Sequence, residues 1–385
     1  MATANNNRFR GQGKDVRHCD STEAMLHTAE MHWKTVPLPM LIQSTKQQAD
    51  GTYATRPSQF KSLVRSDNGY ELACATDTYV PTHNFQIVDA MKRAAGAGEM
   101  TITHLGSLDH GRRIFASCDM GAEFTLGDAR NDIDWSTGVS HAHGSSGEAQ
   151  RVGLDKVQLH GIMGSGHVPG ISFTFVGMAE RFVCLNGNML VKSARARYNM
   201  RHVTEFDAHQ AMRLRQVIRE IKEEFDNYRA AAQKLRAAKW DSEVTRAFCC
   251  ELLAPQFFAE AMRNTGFTSL TSLVDAPKHN YTLDEVLQRS AIYLNGQQEV
   301  RTASNQVVKS TRPAARVLEL VNSQPGADMA RGTAWGVLNA ITYDVDHMRG
   351  RGESSAVESS MFGEGANLKA KALELALEYT AAIYN

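Results

Sequence analysis

Charge of one sign is missing from this 385-residue chain: 42 Lys and Arg stand against 42 Asp and Glu, a formal net charge of zero. Binding of nucleic acid through bulk charge is thereby excluded, and any such binding has to come from a local patch. Long apolar runs are missing too. The best one, Ile171 to Leu190, is broken by Glu180 and Arg181, so no stretch of about 18 apolar residues is available to cross a bilayer. The first twenty residues contain no apolar core segment, which predicts no secretory leader. The six cysteines form no CxxC and no framework spacing, so reduced thiols in a cytoplasm are the expectation. The chain also lacks GxxxxGK[ST], GxSxG and HExxH, which removes the motif-level case for a P-loop nucleotidase, a nucleophile elbow or a zincin. Gly164-Ser-Gly166 does not open a helix, so it reads as turn chemistry between two strands.

What is present is an ordinary globular composition, with 42% hydrophobic and 22% charged residues, enough to build one large or two average domains. Metal-ligand spacing is weak. His141 and His143 lie in a Gly/Ser-rich stretch, and the pairs Asp132 with Asp134 and Asp344 with Asp346 lack a third ligand. No catalytic residue, metal or cofactor is therefore assigned.

Residues 1–22 are rich in Asn, Arg and Gly and read as a flexible tail. A helix begins near Ser21-Thr22-Glu23, where a hydroxyl caps and an acid suits the positive helix end. Residues 45–69 read as loop, with Asp67-Asn68-Gly69 as a turn. Strands are expected at 70–79, 100–106, 112–118, 156–163 and 171–179, with hairpin connections at 107–111 and 164–170, a helix over 86–95 and a long loop or excursion over 127–154. In the last strand Ile171, Phe173 and Phe175 alternate with polar residues, the pattern of a sheet with one face buried. Leu214, Ile218, Ile221, Phe225, Tyr228, Ala232 and Leu235 recur at spacings of four and three. That predicts a long helix over 205–239 with one apolar seam, docked on the sheet or on another helix. Helices follow at 241–264, 282–294, 312–323, 330–347 and 367–384. The class is α+β: an antiparallel sheet with hairpins packed by a long helix, then a mainly helical C-terminal part. The expected divisions are the tail 1–22, a core 23–240 and a helical region 241–385.

The densest local signal is electrostatic. Twelve basic residues between Lys192 and Lys239 face six acidic ones. At the front of the stretch Lys192, Arg195, Arg197, Tyr198, Arg201 and His202 occupy eleven positions with no acid. Arg pairs with phosphate in bidentate fashion and Tyr stacks a base. Arg112 and Arg113 add a smaller basic spot. Together these eight residues are the expected nucleic-acid contacts, and a solvated basic face is the alternative. Trp335, Asn339, Tyr343 and His347 share one helix face, expected to be buried with its polar tips satisfied.

Taken in order, several short motifs resemble the phage and plasmid-like protein family, whose activity is not established. They are Trp33 to Leu38, Arg65-Ser-Asp-Asn-Gly69, Gly106-Ser-Leu108 with Gly111-Arg-Arg113, Arg181-Phe-Val-Cys184-Leu-Asn186, Arg201-His202, Gly332-Thr-Ala-Trp335-Gly-Val-Leu-Asn339 and Asp346-His347. The family's His-Asp-Gly-Ser-like block reads His160-Gly-Ile-Met-Gly-Ser in this chain, a departure that takes away the Asp. The resemblance implies a phage or mobile-element protein acting in the host cytoplasm. Hairpin strands followed by a long helix also resemble, at the level of topology, the Red-beta, Erf and Rad-type single-strand annealing superfamily. That likeness implies a ring- or filament-forming homo-oligomer that binds single-stranded DNA and pairs strands without ATP. A phage protein-interaction factor without DNA binding, or a nucleic-acid enzyme, are the alternatives. The sign of the former would be an exposed apolar seam on the long helix.

Overall fold

The computed structural model describes residues 9–126, 155–183, 185–190, 197–200, 208–261, 299–301, 307–310, 312–350 and 352–384. In chain order the elements are β1 (Lys14–Asp15), α1 (Thr22–Thr28), β2 (Thr35–Gln47), β3 (Tyr53–Arg65), β4 (Glu71–Thr76), α2 (Asn84–Ala97), β5 (Thr101–Leu108), β6 (Arg113–Leu126), β7 (Asp155–Gly166), β8 (Phe173–Arg181), β9 (Asn186–Leu190), β10 (Arg197–Met200), α3 (Ala208–Ala237), α4 (Ser242–Leu253), α5 (Pro255–Ala261), β11 (Glu299–Arg301), β12 (Val307–Ser310), α6 (Arg312–Ser323), α7 (Ala334–Tyr343), α8 (Glu353–Phe362) and α9 (Glu364–Tyr384). A single π-turn, Asp344–Met348, follows α7.

The fold is α+β, as the sequence predicts. A seven-stranded antiparallel sheet runs β1-β5-β6-β7-β8-β10, with β9 also on β8. β10 pairs with Phe173–Val176 and β9 with Gly177–Arg181, so the two short strands lie end to end along one edge of β8. The expected single buried face is corrected, because every residue of β8 is buried. Phe173, Phe175 and Ala179 pack into the main core, while Val176 and Met178 pack with Phe9, Val357 and Met361 in a second one. Helices or strap therefore cover both faces, and alternation fades where neither face meets water.

The long helix forms as its seam dictates. Its seven seam residues are its buried residues, and they enter the main core. Phe225 and Tyr228 meet Phe124 of β6 at 5.1 and 6.3 Å. Each large seam residue contributes about 1.5–3 kcal/mol of burial, an upper estimate since the unfolded chain is partly collapsed. Ser21 caps α1 as expected, accepting from the Ala24 N–H; Asp241 accepts from the Glu243 and Val244 N–H groups and Thr333 from that of Gly336.

Three boundaries differ from the expectation. Residues 9–22 are not a tail: Phe9 is 2% exposed, Val16 is fully buried, and β1 pairs with β5. The C-terminal helices are not separate, since Ala372, Ala376 and Tyr379 join the same core as Val16 and Leu214. Residues 45–69 are mostly strand. β2 and β3 form a 13-residue antiparallel ribbon, and with β4 they make a three-stranded arm. Pro37, Pro39 and Pro57 and a wet surface on both sides hid that ribbon from its hydrophobic pattern. Gly164-Ser-Gly166 is not a turn either, but the end of β7 paired with Arg113–Phe115 of β6. A Cβ at Gly166 would lie 2.4 Å from the Arg112 carbonyl oxygen, so only glycine fits there. The expected loop over 127–154, the last residues of the helix expected over 241–264 and the helix expected over 282–294 lie outside the described residues.

Candidate nucleic-acid interface and the polar networks beside it

The predicted basic contacts fall into three groups. Lys192, Arg195, Arg201 and His202 lie outside the described residues. Arg197 opens β10, the edge strand, opposite Val176. Tyr198 is a correction: it is 3% exposed, edge-on to Phe173 at 6.2 Å, and belongs to the main core. A ring held this way has no face to offer a base, because the alternation of β10 turns position 198 inward. Arg112 and Arg113 are both engaged. Arg112 reaches Asp109 at 3.4 Å, and Arg113 pairs with Glu358 at 2.9 Å while covering the Phe362 ring at 4.7 Å. Their charge is largely matched, so they add little field to a phosphate.

A second basic surface lies at the start of α3. From Ala208 to Arg219 this helix carries His209, Arg213, Arg215 and Arg219 and no acid. These four side chains are exposed, on the face away from the buried seam. Arg213 sits 5.8 Å from the Tyr198 ring, which places the helix start beside the edge strand β10. Arg215 donates to the Ala97 carbonyl at the end of α2. A cationic helix face thus adjoins the strand that begins at Arg197.

Elsewhere the quoted motifs converge on buried networks. In one, Asp155 accepts from Arg181 Nε and Nη2 at 2.5 and 3.0 Å and from Trp335 Nε1 at 2.9 Å. Arg181 also donates to the Gly326 carbonyl, and the Asn339 amide donates to the Trp335 carbonyl. Both charged side chains are about fully buried, at 1% and 2% exposure. Trp335 and Asn339 are thus buried with satisfied tips, as expected, whereas Tyr343 and His347 are half-buried and lie tilted against each other at 4.6 Å. In a second network, Asp346 meets Lys369 Nζ at 2.7 Å, Ser360 Oγ and the Gly187 N–H at 2.8 Å. Asp344 is held by Arg316 and Arg349. Asp346 therefore neutralises the buried Lys369, and the buried Asp344 is matched by two partly exposed arginines; among the described residues no group of three His, Cys, Asp or Glu could hold a metal ion.

A third network roots the arm. His167 Nε2–H donates to Asn84 Oδ1 at 2.7 Å, since the Asn84 amide already donates to the Met31 and Trp33 carbonyls. Its Nδ1 meets the Thr35 hydroxyl at 3.1 Å. Burial holds the His167 imidazole down to about 4, with His83 adding to the shift. Trp33 stacks edge-on to His167, and Arg65 lies 4.4 Å over the same indole. Arg65 also donates to the His110 carbonyl and pairs with Asp67 at 2.6 Å. Gly111, at φ +103°, approaches so closely that a Cβ would lie 2.6 Å from Trp33. Three motifs, around Trp33, Arg65 and Gly111, meet at this root.

A polar groove of about 720 Å³ lies nearby, lined by Ser107, Asp109, His110, Glu353 and Glu358. Gln12 reaches into it and donates to Glu353. Two of its acids are the partners of Arg112 and Arg113, so it carries no concentrated charge. Buried thiols are quiet: burial raises Cys118 and Cys249, and Cys250 is pushed up to about 12.

No described helix is long and apolar enough to cross a membrane. The family model described as a domain of unknown function, DUF932, matches residues 71–370. That span starts at the first residue of β4, so the two long strands of the arm precede it. No curated protein and no solved structure matches the chain.

Proposed function

The chain belongs to the DUF932 family, and from that premise we propose that it binds single-stranded DNA and promotes strand annealing without ATP, as a phage or mobile-element protein in the host cytoplasm. The observation that carries this reading is the acid-free, exposed run of cations at the start of α3, beside the edge strand that opens at Arg197. In the chain these cations continue the Lys192 to His202 stretch, so seven Lys and Arg from 192 to 219 face only Glu205 and Asp207. Such a strip holds a sugar-phosphate backbone and leaves bases free to pair, which is all that annealing asks of a protein. No catalytic residue enters this mechanism. With Tyr198 in the core, affinity comes from phosphate contacts rather than stacking. A homo-oligomer, ring or filament, would join several short strips into one track.

The alternative of a partner-binding factor relied on an exposed seam along the long helix, and that seam is buried. Its place as exposed apolar surface is taken by the arm.

A mobility-shift assay with single-stranded, double-stranded and complementary-strand substrates tests the proposal. Tight, strongly salt-dependent binding of single strands and faster duplex formation are expected. Absence of binding at low salt, or equal binding by an Arg213→Ala/Arg215→Ala/Arg219→Ala variant that keeps its fold, refutes it.

A further inference from the structure

The arm ends in an unusual surface. Among the described residues, five of the ten exposed large hydrophobic ones are on it: Leu38, Leu41, Ile42, Tyr53 and Phe60, at 39–66% exposure. At about 200 Å² per fully exposed large side chain they leave roughly 470 Å² of apolar surface in water, spread over both faces of the arm. Beyond the reach of β4, which pairs only with Phe60–Val64, the arm is a two-stranded ribbon. Residues 41–57 are exposed throughout except for Ser44. Leu41 and Ile42 point to opposite faces, so neither face has an apolar layer from the described residues behind it. A two-stranded ribbon in water is marginal by itself, and three or more strands or a packed partner make it stable.

The two edges of this ribbon are not treated alike. On β3 the free edge carries Arg56 and Pro57, residues that block strand addition. On β2 the prolines at 37 and 39 guard the root, but Met40-Leu-Ile-Gln-Ser-Thr45 has neither proline nor charge. β2 is an outer strand of the arm, with β3 on one side and no described strand on the other. An open, uncharged edge flanked by protected ones is a pairing site.

We infer that this edge pairs with the same edge of a second copy, in antiparallel fashion, merging the two ribbons into one sheet that is four-stranded across the seam. The charge pattern selects that occupant. An antiparallel match centred between Gln43 and Ser44 sets Leu41 opposite Lys46, Ile42 opposite Thr45, and no like charge opposite like. A charged partner would find nothing complementary in the tract, whereas a like tract meets no repulsion, and the neutral chain adds none. The contact is twofold and closes on itself, so it makes a dimer. It rests on the proposed function only in that such a dimer would be the unit from which a longer DNA track is assembled.

The experiment is sedimentation velocity on the full chain at micromolar concentration without DNA, comparing wild type with Leu41→Lys/Ile42→Lys and with Val80→Lys. Val80 is 79% exposed and off the ribbon, so that variant keeps the dimer mass. The double variant sets lysines against the partner strand; its dissociation constant rises by at least about tenfold, and it sediments as a monomer with an unchanged melting curve. A wild-type monomer, or a double variant of unchanged mass, overturns the inference. So does a double variant that melts markedly lower, because the ribbon would then be covered by its own chain. Since no DNA is present, a failure leaves the annealing proposal to its own assay, and a failure of that assay leaves the dimer standing.

Discussion

Replacing Arg181 by Met tests the account of the Asp155 network. The substitution keeps much of the volume but strips Asp155 of both guanidinium bonds. Asp155 is 1% exposed, and only the Trp335 N–H remains among its described partners. A buried ion pair is a weak stabiliser when intact, because desolvation offsets attraction; removing one member is costly because the other charge stays buried. That cost is about 3–5 kcal/mol. For a chain of this length, at about 2 °C per kcal/mol, Tm falls by about 6–10 °C. Replacing both members, as Asp155→Leu/Arg181→Met, removes the orphaned charge and leaves only the lost Trp335 and Gly326 bonds, so most of the fall is recovered. Thermal unfolding followed by circular dichroism for wild type, single and double variants measures this. A single variant within about 1 kcal/mol of wild type, or a double variant no better than the single, refutes the reasoning, since either would mean that the pair is solvated or independent.

Acid should weaken the arm root. The His167 imidazole titrates at about 4 in the folded chain, below its ordinary 6.5, so the unfolded state binds the extra proton first. Stability is then full above about pH 6.5 and falls as the pH drops toward 4, by up to about 3 kcal/mol; a His167→Gln variant that keeps the wild-type slope in this window would contradict it. Cys74 is exposed whereas Cys118, Cys249 and Cys250 are buried. A thiol reagent should therefore modify Cys74 in the native chain and the other three only on unfolding, which mass spectrometry of timed aliquots reads directly. On the proposed interface, the Arg213/Arg215/Arg219 triple alanine variant should lower the salt slope of single-strand binding by about two to three and leave the unfolding free energy within about 1 kcal/mol of wild type. An unchanged slope would make that helix face a solvated one.

Where a residue's burial is set by its own periodic neighbours, the amino-acid order determined the outcome. The α3 seam is one example: a 3.6-residue repeat leaves a helix one apolar stripe, and all seven residues of it are buried. The antiparallel pairs β5–β6 and β7–β8 are another, since the short connections after Leu108 and Gly166 allow no crossover. Charge density likewise marked the stretch around Lys192 without deciding which of its residues face water, and Tyr198 went inward because β10 pairs with β8 in one register. Only the tertiary structure decided features that depend on surfaces far apart in the chain. Residues 9–22 look like a tail until β5 offers an edge and the second core offers Phe9 a place. The sheet is buried on both sides because Phe9 and α8 arrive from opposite ends of the sequence. The arm was illegible for the converse reason: with both faces wet, nothing in its residues alternates, and its strands are held by backbone pairing and by a root that Trp33, Arg65, Gly111 and His167 assemble from four segments. Charges such as Asp155, Asp346 and Lys369, each ordinary as a letter, became buried pairs because partners 26, 23 and more residues away closed over them. Local patterns record local packing; long-range partners leave no period to read.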